Sequence, residues 1–257
     1  MIETRGLTLN AGPRTLLRSL DWHGQAGELW CVLGANGAGK SSLLYALAGL
    51  QAGARSQVWL QGKPLDHWQP APLARQRSFM PQEVHDAFDA SVEEVVQLGR
   101  YPHGRSPRNE PEPDLSIARK ALVDTRLGDF SGRSVLTLSG GERQRVALAM
   151  LLAQDTPLML LDEPASHQDL GHQMQMFGLL QKLAQAGRCV VLALHDVNLA
   201  ARFATHALVL DGRDGAMQGS AVEVINAETL SAAYGHPVRA ISDVGMPGGA
   251  ASYFVPV

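Results

Sequence analysis

The sequence predicts an α/β fold: a mostly parallel sheet flanked by helices, with an all-helical segment inserted into it. Three observations predict it. Apolar β-type runs such as Glu28–Leu33 (ELWCVL) alternate with helical patterns, and Leu158–Leu161 and Cys189–Leu194 are short continuous apolar runs of the kind found in a parallel sheet buried on both faces. Between the last two, Asp169–Ala186 repeats Leu170, Met174, Phe177 and Leu180–Leu183 at helical intervals, so the three segments read as a right-handed strand–helix–strand crossover. The stretch from about Glu83 to about Thr156 shows no convincing strand.

In chain order, the strand Glu28–Leu33 runs straight into a glycine-rich turn, and Ser42–Leu50 has helical spacing. Arg77–Met80 is a short strand. Val92–Leu98, Leu115–Leu127 and Gly141–Ala153 read as helices, and Tyr101–Pro113 (YPHGRSPRNEPEP), with four prolines, reads as a loop. After about Asn226 come a helix at Ala227–Tyr234 and a Gly/Pro-rich turn at Met246–Ala250. The expected organisation is one domain over 1–225, with its core at 1–82 and 157–225 and its helical part at about 83–156. A small C-terminal extension, 226–257, packs on the core. There is no internal repeat.

Composition narrows the function classes. The 257 residues carry 22 Lys+Arg against 25 Asp+Glu, a net charge of −3, and 45% are hydrophobic, enough apolar material to bury a core and too much for a disordered chain. A sequence pI of about 6.3 speaks against a phosphate-neutralising nucleic-acid binder. Cys31 and Cys189 sit inside apolar runs and read as small buried hydrophobes in a reducing compartment. The longest apolar run, Val146–Ala153, is far below the roughly 20 residues of a bilayer crossing, and MIETRGLTLN lacks the apolar segment of a secretory signal. The expectation is a soluble, cytosolic protein.

The strongest chemical signal is Gly34-Ala35-Asn36-Gly37-Ala38-Gly39-Lys40-Ser41, followed by Ser42, which matches G-x-x-x-x-G-K-[ST] between a strand and a helix. Glycines let successive backbone N–H groups converge on phosphate oxygens at a helix N-terminus. Lys40 is expected to reach the β- and γ-phosphates and the Ser41 hydroxyl to ligate Mg²⁺. The second signal is Leu158-Met159-Leu160-Leu161-Asp162-Glu163, which puts two carboxylates at the C-terminal end of a buried strand. Asp162 suits the Mg²⁺ shell, and Glu163 suits a base on the attacking water.

The third signal is Leu138-Ser139-Gly140-Gly141-Glu142-Arg143-Gln144, a second helix N-terminus able to cradle an anion. Alone, Ser-Gly-Gly is an ordinary N-cap and turn. One nucleotide does not need two cradles from one chain, whereas a head-to-tail dimer uses both. Gln82 follows the strand Arg77–Met80, and His195 ends the strand Cys189–Leu194, where a γ-phosphate contact is expected. Either could instead be an ordinary strand-end residue.

These five segments, in this order, resemble the ATP-binding subunit of ABC transporters over about Leu7 to about Asp211. Residues 34–41 resemble its Walker A motif, 158–163 its Walker B and 138–142 (LSGGE) its signature. Gln82 is similar to the Q-loop residue and His195 to the switch histidine. The resemblance implies a P-loop NTPase core with a helical signature subdomain, and ATP and Mg²⁺ as cofactors. Glu163, His195 and Gln82 are the implied catalytic group, and Ser41, Gln82 and Asp162 the implied metal group. Ser139, Gly140, Gly141, Glu142 and Asp169 are implied nucleotide contacts. It also implies a nucleotide-sandwich homodimer on membrane-spanning permease subunits, fed by a periplasmic binding protein, at the cytoplasmic face of the inner membrane.

Two departures stand out. Ala11 occupies the place of the usual adenine-stacking aromatic, so Arg14 or Arg18 would have to cover the base. Ser166-His167-Gln168-Asp169 replaces the usual SALD of the D-loop. Leu98-Gly99-Arg100-Tyr101-Pro102-His103 and Tyr234-Gly235-His236-Pro237-Val238 resemble the importer branch for iron-siderophores, haem and cobalamin. The missing aromatic, the compact core and His85-Asp86-Ala87-Phe88 put cobalamin first, iron-siderophore second and haem third. Two rivals remain: a non-transport ABC ATPase of DNA repair or translation, which usually carries two cassettes or a long coiled coil, and a nucleotide-binding regulator, which would gain nothing from Glu163.

Overall fold

The chain opens with a long antiparallel hairpin, β1 (Ile2–Ala11) and β2 (Arg14–Gly24). The computed structural model describes residues 1–83, 88–104, 112–166, 168–243 and 251–257. After the hairpin come β3 (Leu29–Leu33), α1 (Lys40–Leu47), β4 (Val58–Leu60), β5 (Lys63–Pro64), the short α2 (Pro70–Ala74) and β6 (Arg77–Met80). One antiparallel sheet has the order β2-β1-β4-β5. Three helices follow β6: α3 (Val92–Gln97), α4 (Glu112–Asp124) and α5 (Gly140–Ala153).

The chain then makes β7 (Leu158–Asp162), α6 (Leu170–Gln185), β8 (Cys189–Ala193), α7 (Val197–Phe203), β9 (His206–Leu210), β10 (Ala216–Ser220) and α8 (Ala221–Val224). The central sheet has the order β10-β9-β3-β8-β7-β6 and is parallel except for β10. The tail adds α9 (Ala227–Tyr234) and the antiparallel pair β11 (Val238–Asp243) and β12 (Ala251–Pro256).

Strands β3, β7 and β8 are buried at every position, which explains their continuous apolar runs. Alternation still divides their side chains between two cores. Leu29, Cys31 and Leu33 join Leu161, Leu192, Phe177 and the inserted helices on one face. Trp30 and Val32 join Leu158, Leu160, Val191, helix α1 and the β1–β2 hairpin on the other. Cys31 and Cys189 therefore belong to opposite cores; both are free, and burial pushes the Cys31 thiol well above its ordinary value and the Cys189 thiol up to about 12.

Several sequence expectations shift. The first helix starts at Lys40, not Ser42, because left-handed Gly39 turns the loop directly into it; it ends at Leu47, with Ala48 as its cap before left-handed Gly49, not at Leu50. The proline-rich loop is shorter than 101–113: Leu98–His103 winds as a 3₁₀ turn, and Glu112 and Pro113 open α4, where a first-turn proline loses no helical hydrogen bond. That helix ends at Asp124, not Leu127. The hairpin β1–β2, strand β10 and the pair β11–β12 carry no clear sequence signal. The expected turn Met246–Ala250, residues 85–87 of the stretch ending at Phe88, and His167 of the D-loop lie outside the described residues.

Candidate functional site

The phosphate-loop residues leave the C-terminal end of β3 and enter α1. Gly34 has φ 144, and a Cβ there would lie 2.8 Å from the Leu210 carbonyl oxygen, so only glycine lets the chain turn this close to β9. Helix α1 has no side-chain cap and no acid in its first turn, so its leading N–H groups point their positive ends at the loop without an internal anion. Lys40, 5% exposed, donates from Nζ to Gly34 O at 2.8 Å and to Ala35 O at 3.2 Å. Burial lowers its pKa, opposed by the charges of Glu163 and Asp162.

Asp162 ends β7 at 1% exposure. Burial raises its carboxyl pKa, opposed chiefly by a hydrogen bond from Ser41. Its Oδ1 is buried and has no hydrogen-bond partner among the described residues. A hydroxyl beside a carboxylate with an unsatisfied oxygen is a hard-oxygen donor set suited to Mg²⁺, which takes one or two protein oxygens and completes its shell with water and phosphate. The residues present therefore fit that ion.

Glu163 follows in a left-handed conformation, φ 48, fixed by its N–H donating to Ala193 O at 3.2 Å. One carboxylate oxygen accepts from Gln82 Nε2 at 2.8 Å, and the other meets His195 Nε2. The ends of three strands, β6, β7 and β8, thus bring together three residues spread over 113 positions of the chain. Gln82 O accepts in turn from Gln144 Nε2 on α5 at 3.4 Å, a link that sequence reasoning missed although Gln144 lies in the quoted signature segment.

A cavity of ≈ 580 Å³ is lined by Asn36, Gly37, Gly39, Lys40, Ser41, Ser42, Gln82, Glu163 and His195, together with Ala11, Arg14 and Leu16. Ala35 and Ala38 instead line a second cavity of ≈ 240 Å³ together with Asp211 and Tyr234. Of the two arginines, only Arg14 lines the larger cavity. Arg14 lines the cavity while donating from Nη2 to Gly212 O at 3.1 Å. Arg18 does not line it; its Nε binds Asp214 Oδ2 at 2.8 Å.

Ser139, Gly140, Gly141 and Glu142 do not line the cavity. They build a capping box at the start of α5: Glu142 N donates to Ser139 Oγ at 3.3 Å, and Ser139 N donates to Glu142 Oε2 at 2.7 Å. The bond from Ser139 N holds the Glu142 carboxyl below its usual range. Asp169 also lies off the cavity lining. It caps α6, accepting from His172 N at 2.9 Å and meeting His172 Nδ1 at 2.7 Å, and these bonds lower its pKa. Among the described residues no cluster of His, Cys, Asp and Glu could hold a metal on its own, and no helix is long and apolar enough to cross a membrane.

Comparison with known proteins agrees with this geometry. The family profile described as ABC transporter matches residues 17–166. The chain is 43% identical over 242 residues to the hemin import ATP-binding protein HmuV of Nocardia farcinica (strain IFM 10152), covering 94% of this chain and 82% of the relative. It is 36% identical to the ferric enterobactin transport ATP-binding protein FepC of Escherichia coli (strain K12), covering 92% and 88%. A solved inward-facing transporter, described as being of metal-chelate type, superposes with a TM-score of 0.85 at 27% identity, covering 100% of this chain and 97% of that one. A strand-ended glycine-rich loop, buried Asp162 beside Glu163 and the capped helix α5 share one scaffold, and the family profile and the relatives match it: the chain belongs to the ABC transporter family, as its ATP-binding and ATP-hydrolysing cassette.

Proposed function

We propose that the chain is the ATPase subunit of a membrane importer for an iron chelate, haem first and ferric siderophore second. The observation that carries this reading is the 43% identity, over 94% of the chain, to a hemin import ATPase. It reverses the order drawn from sequence. Cobalamin stood first there, but these relatives are named for hemin and for the siderophore enterobactin. The missing aromatic at Ala11 was a weak guide to cargo, because the cassette touches nucleotide, while cargo is selected by other subunits.

In the proposed reaction, the N–H groups of residues 37–42 and the Lys40 ammonium neutralise the triphosphate and hold its γ-phosphoryl in line for attack. Ser41 and Asp162 would hold Mg²⁺, with Gln82 beside them. The ion, when bound, offsets charge on the β- and γ-oxygens. Glu163, oriented through Gln82 and His195, takes the proton of the attacking water, and His195 contacts the γ-phosphate. Ser139 and the α5 N-terminus lie off the chain's own cavity, which supports their serving the nucleotide of a second copy in a head-to-tail homodimer. Asp169 would face the same junction.

The inserted helices over about 83–156 act as the signature subdomain that meets the permease at the cytoplasmic membrane face, and 226–257 as an extension of the core. The link Gln144–Gln82 supports the coupling of that subdomain to the nucleotide. Deleting the coding gene and following uptake of labelled haemin, ferric siderophore and cobalamin tests the cargo. Loss of haemin uptake alone is expected; loss of cobalamin uptake alone would overturn the reading.

A further inference from the structure

The first amide beyond the central sheet is held by the tail of the chain. The β3–β9 ladder ends at Leu33–Val209, and Gly34, the next residue, starts the phosphate loop. Its N–H donates to the Tyr234 phenol oxygen at 3.4 Å, and its carbonyl accepts from Lys40 Nζ at 2.8 Å. Gly34 is thus gripped on one side by the loop's own lysine and on the other by the last residue of α9, two hundred positions away. The loop passes close to β9 here: a Cβ on Gly34 would lie 2.8 Å from Leu210 O.

The tail is itself anchored. Asn226 caps α9 by accepting from Thr229 N at 2.9 Å, and left-handed Gly235 ends the helix directly after Tyr234. Phe254 of β12 is 6% exposed in the main core and exchanges two hydrogen bonds with Asn198 of α7, N to Oδ1 at 2.8 Å and O from Nδ2 at 3.3 Å. Helix α7 begins at the Asp196 cap, one residue after His195. Burial raises the pKa of the Tyr234 phenol, opposed by the hydrogen bond from the Gly34 N–H and reinforced by the nearby Asp196 carboxylate.

We propose that Tyr234 is a positioning residue for the phosphate loop: it fixes the Gly34 amide so that the loop's nitrogens are already aimed at the triphosphate, and it ties the loop through the tail to the helix behind His195. This rests on residues 34–41 being the phosphate-binding loop. A preformed loop saves ordering cost on binding, so its loss acts on nucleotide affinity and leaves the chemical step alone.

The test uses the full chain carrying Tyr234→Phe, which keeps the ring and removes only the hydroxyl. Calorimetry with Mg-ATP and steady-state ATPase assays are expected to show Kd and KM raised about threefold to tenfold, the range of one net hydrogen bond, with kcat within about twofold. Amide exchange at Gly34 should quicken by a similar factor, while the melting temperature without nucleotide falls by no more than about 2–4 °C, the range of that one bond. Unchanged Kd and Gly34 exchange would overturn the proposal. So would a parallel fall of kcat, affinity and melting temperature, which marks a purely structural role. Lys40→Ala separates the underlying reading: full Mg-ATP affinity in that variant would refute the phosphate loop itself, whatever Tyr234 does.

Discussion

The single residue under most tension is Asp162. It is 1% exposed, one of its oxygens has no partner among the described residues, and its surroundings as a whole favour the neutral form. An acid whose folded pKa is raised penalises folding above that pKa, and the penalty fades as pH falls through it. Asp162→Asn should therefore abolish turnover and yet raise the Tm of the nucleotide-free chain. The gap from the natural protein should be widest at neutral pH and close on acidification. A lower Tm for the variant, in thermal melts across that range, would sink the argument. Glu163 has a separable role. Glu163→Gln keeps the shape and can still pair with Gln82, so ATP should bind normally in calorimetry while turnover drops about 10²- to 10⁴-fold, the usual range for a lost general base. Near-normal turnover would remove Glu163 from that role. Residues of this kind were legible because their chemistry sits in contiguous motifs; Tyr234 was quoted only for a branch resemblance, since no local pattern ties it to Gly34.

Among the elements, legibility followed the regularity of the backbone. Strands β3, β7 and β8 are uninterrupted, and their apolar runs show it. Strand β1 is broken by a register shift between Thr4 and Leu7, at left-handed Gly6. Its buried side chains are Ile2 and Thr4 before the shift and Leu7 and Leu9 after it, so the parity changes and period-2 alternation is lost in the letters. The 3₁₀ turn Leu98–His103 was likewise hidden by Pro102, although it has a clear task. Arg100 Nη1 donates to Ala153 O at 2.8 Å, and His103 Nε2 lies 3.0 Å from Gln154 O, so the turn closes the C-terminal carbonyls of the signature helix α5. Gly99 makes the contact possible, because a Cβ there would lie 2.3 Å from Met150 O. Gly99→Ala should destabilise the chain by about 1–3 kcal/mol, as overpacking does elsewhere. Urea unfolding monitored by circular dichroism measures it, and an unchanged midpoint would show that the turn and α5 are not in firm contact.

At the scale of the whole molecule, the two helix N-termini able to hold an anion are used differently. That of α1 faces the chain's own cavity beside Lys40, whereas that of α5 is filled by its own capping box and lies off that cavity. If Ser139 acts in trans, a homodimer contains two sites, each built from the phosphate loop of one copy and the α5 terminus of the other. Mixing a Lys40→Ala subunit with a Ser139→Arg subunit then gives heterodimers in which one site collects both defects and the other is assembled from intact halves. Use of Ser139 in cis would leave every site with one defect, because each chain would carry its lesion into its own nucleotide. Neither mutant alone should hydrolyse ATP on the assembled transporter in either case, so the mixture is the informative sample. Arginine at 139 adds bulk and charge at the point where a triphosphate would approach, and the α5 cap it removes is worth about 0.5–2 kcal/mol, too little to unfold a domain with two extensive cores. ATPase activity appearing in the mixture, and absent from both parents, is the expected outcome, and it would place Ser139 on the nucleotide of the partner copy.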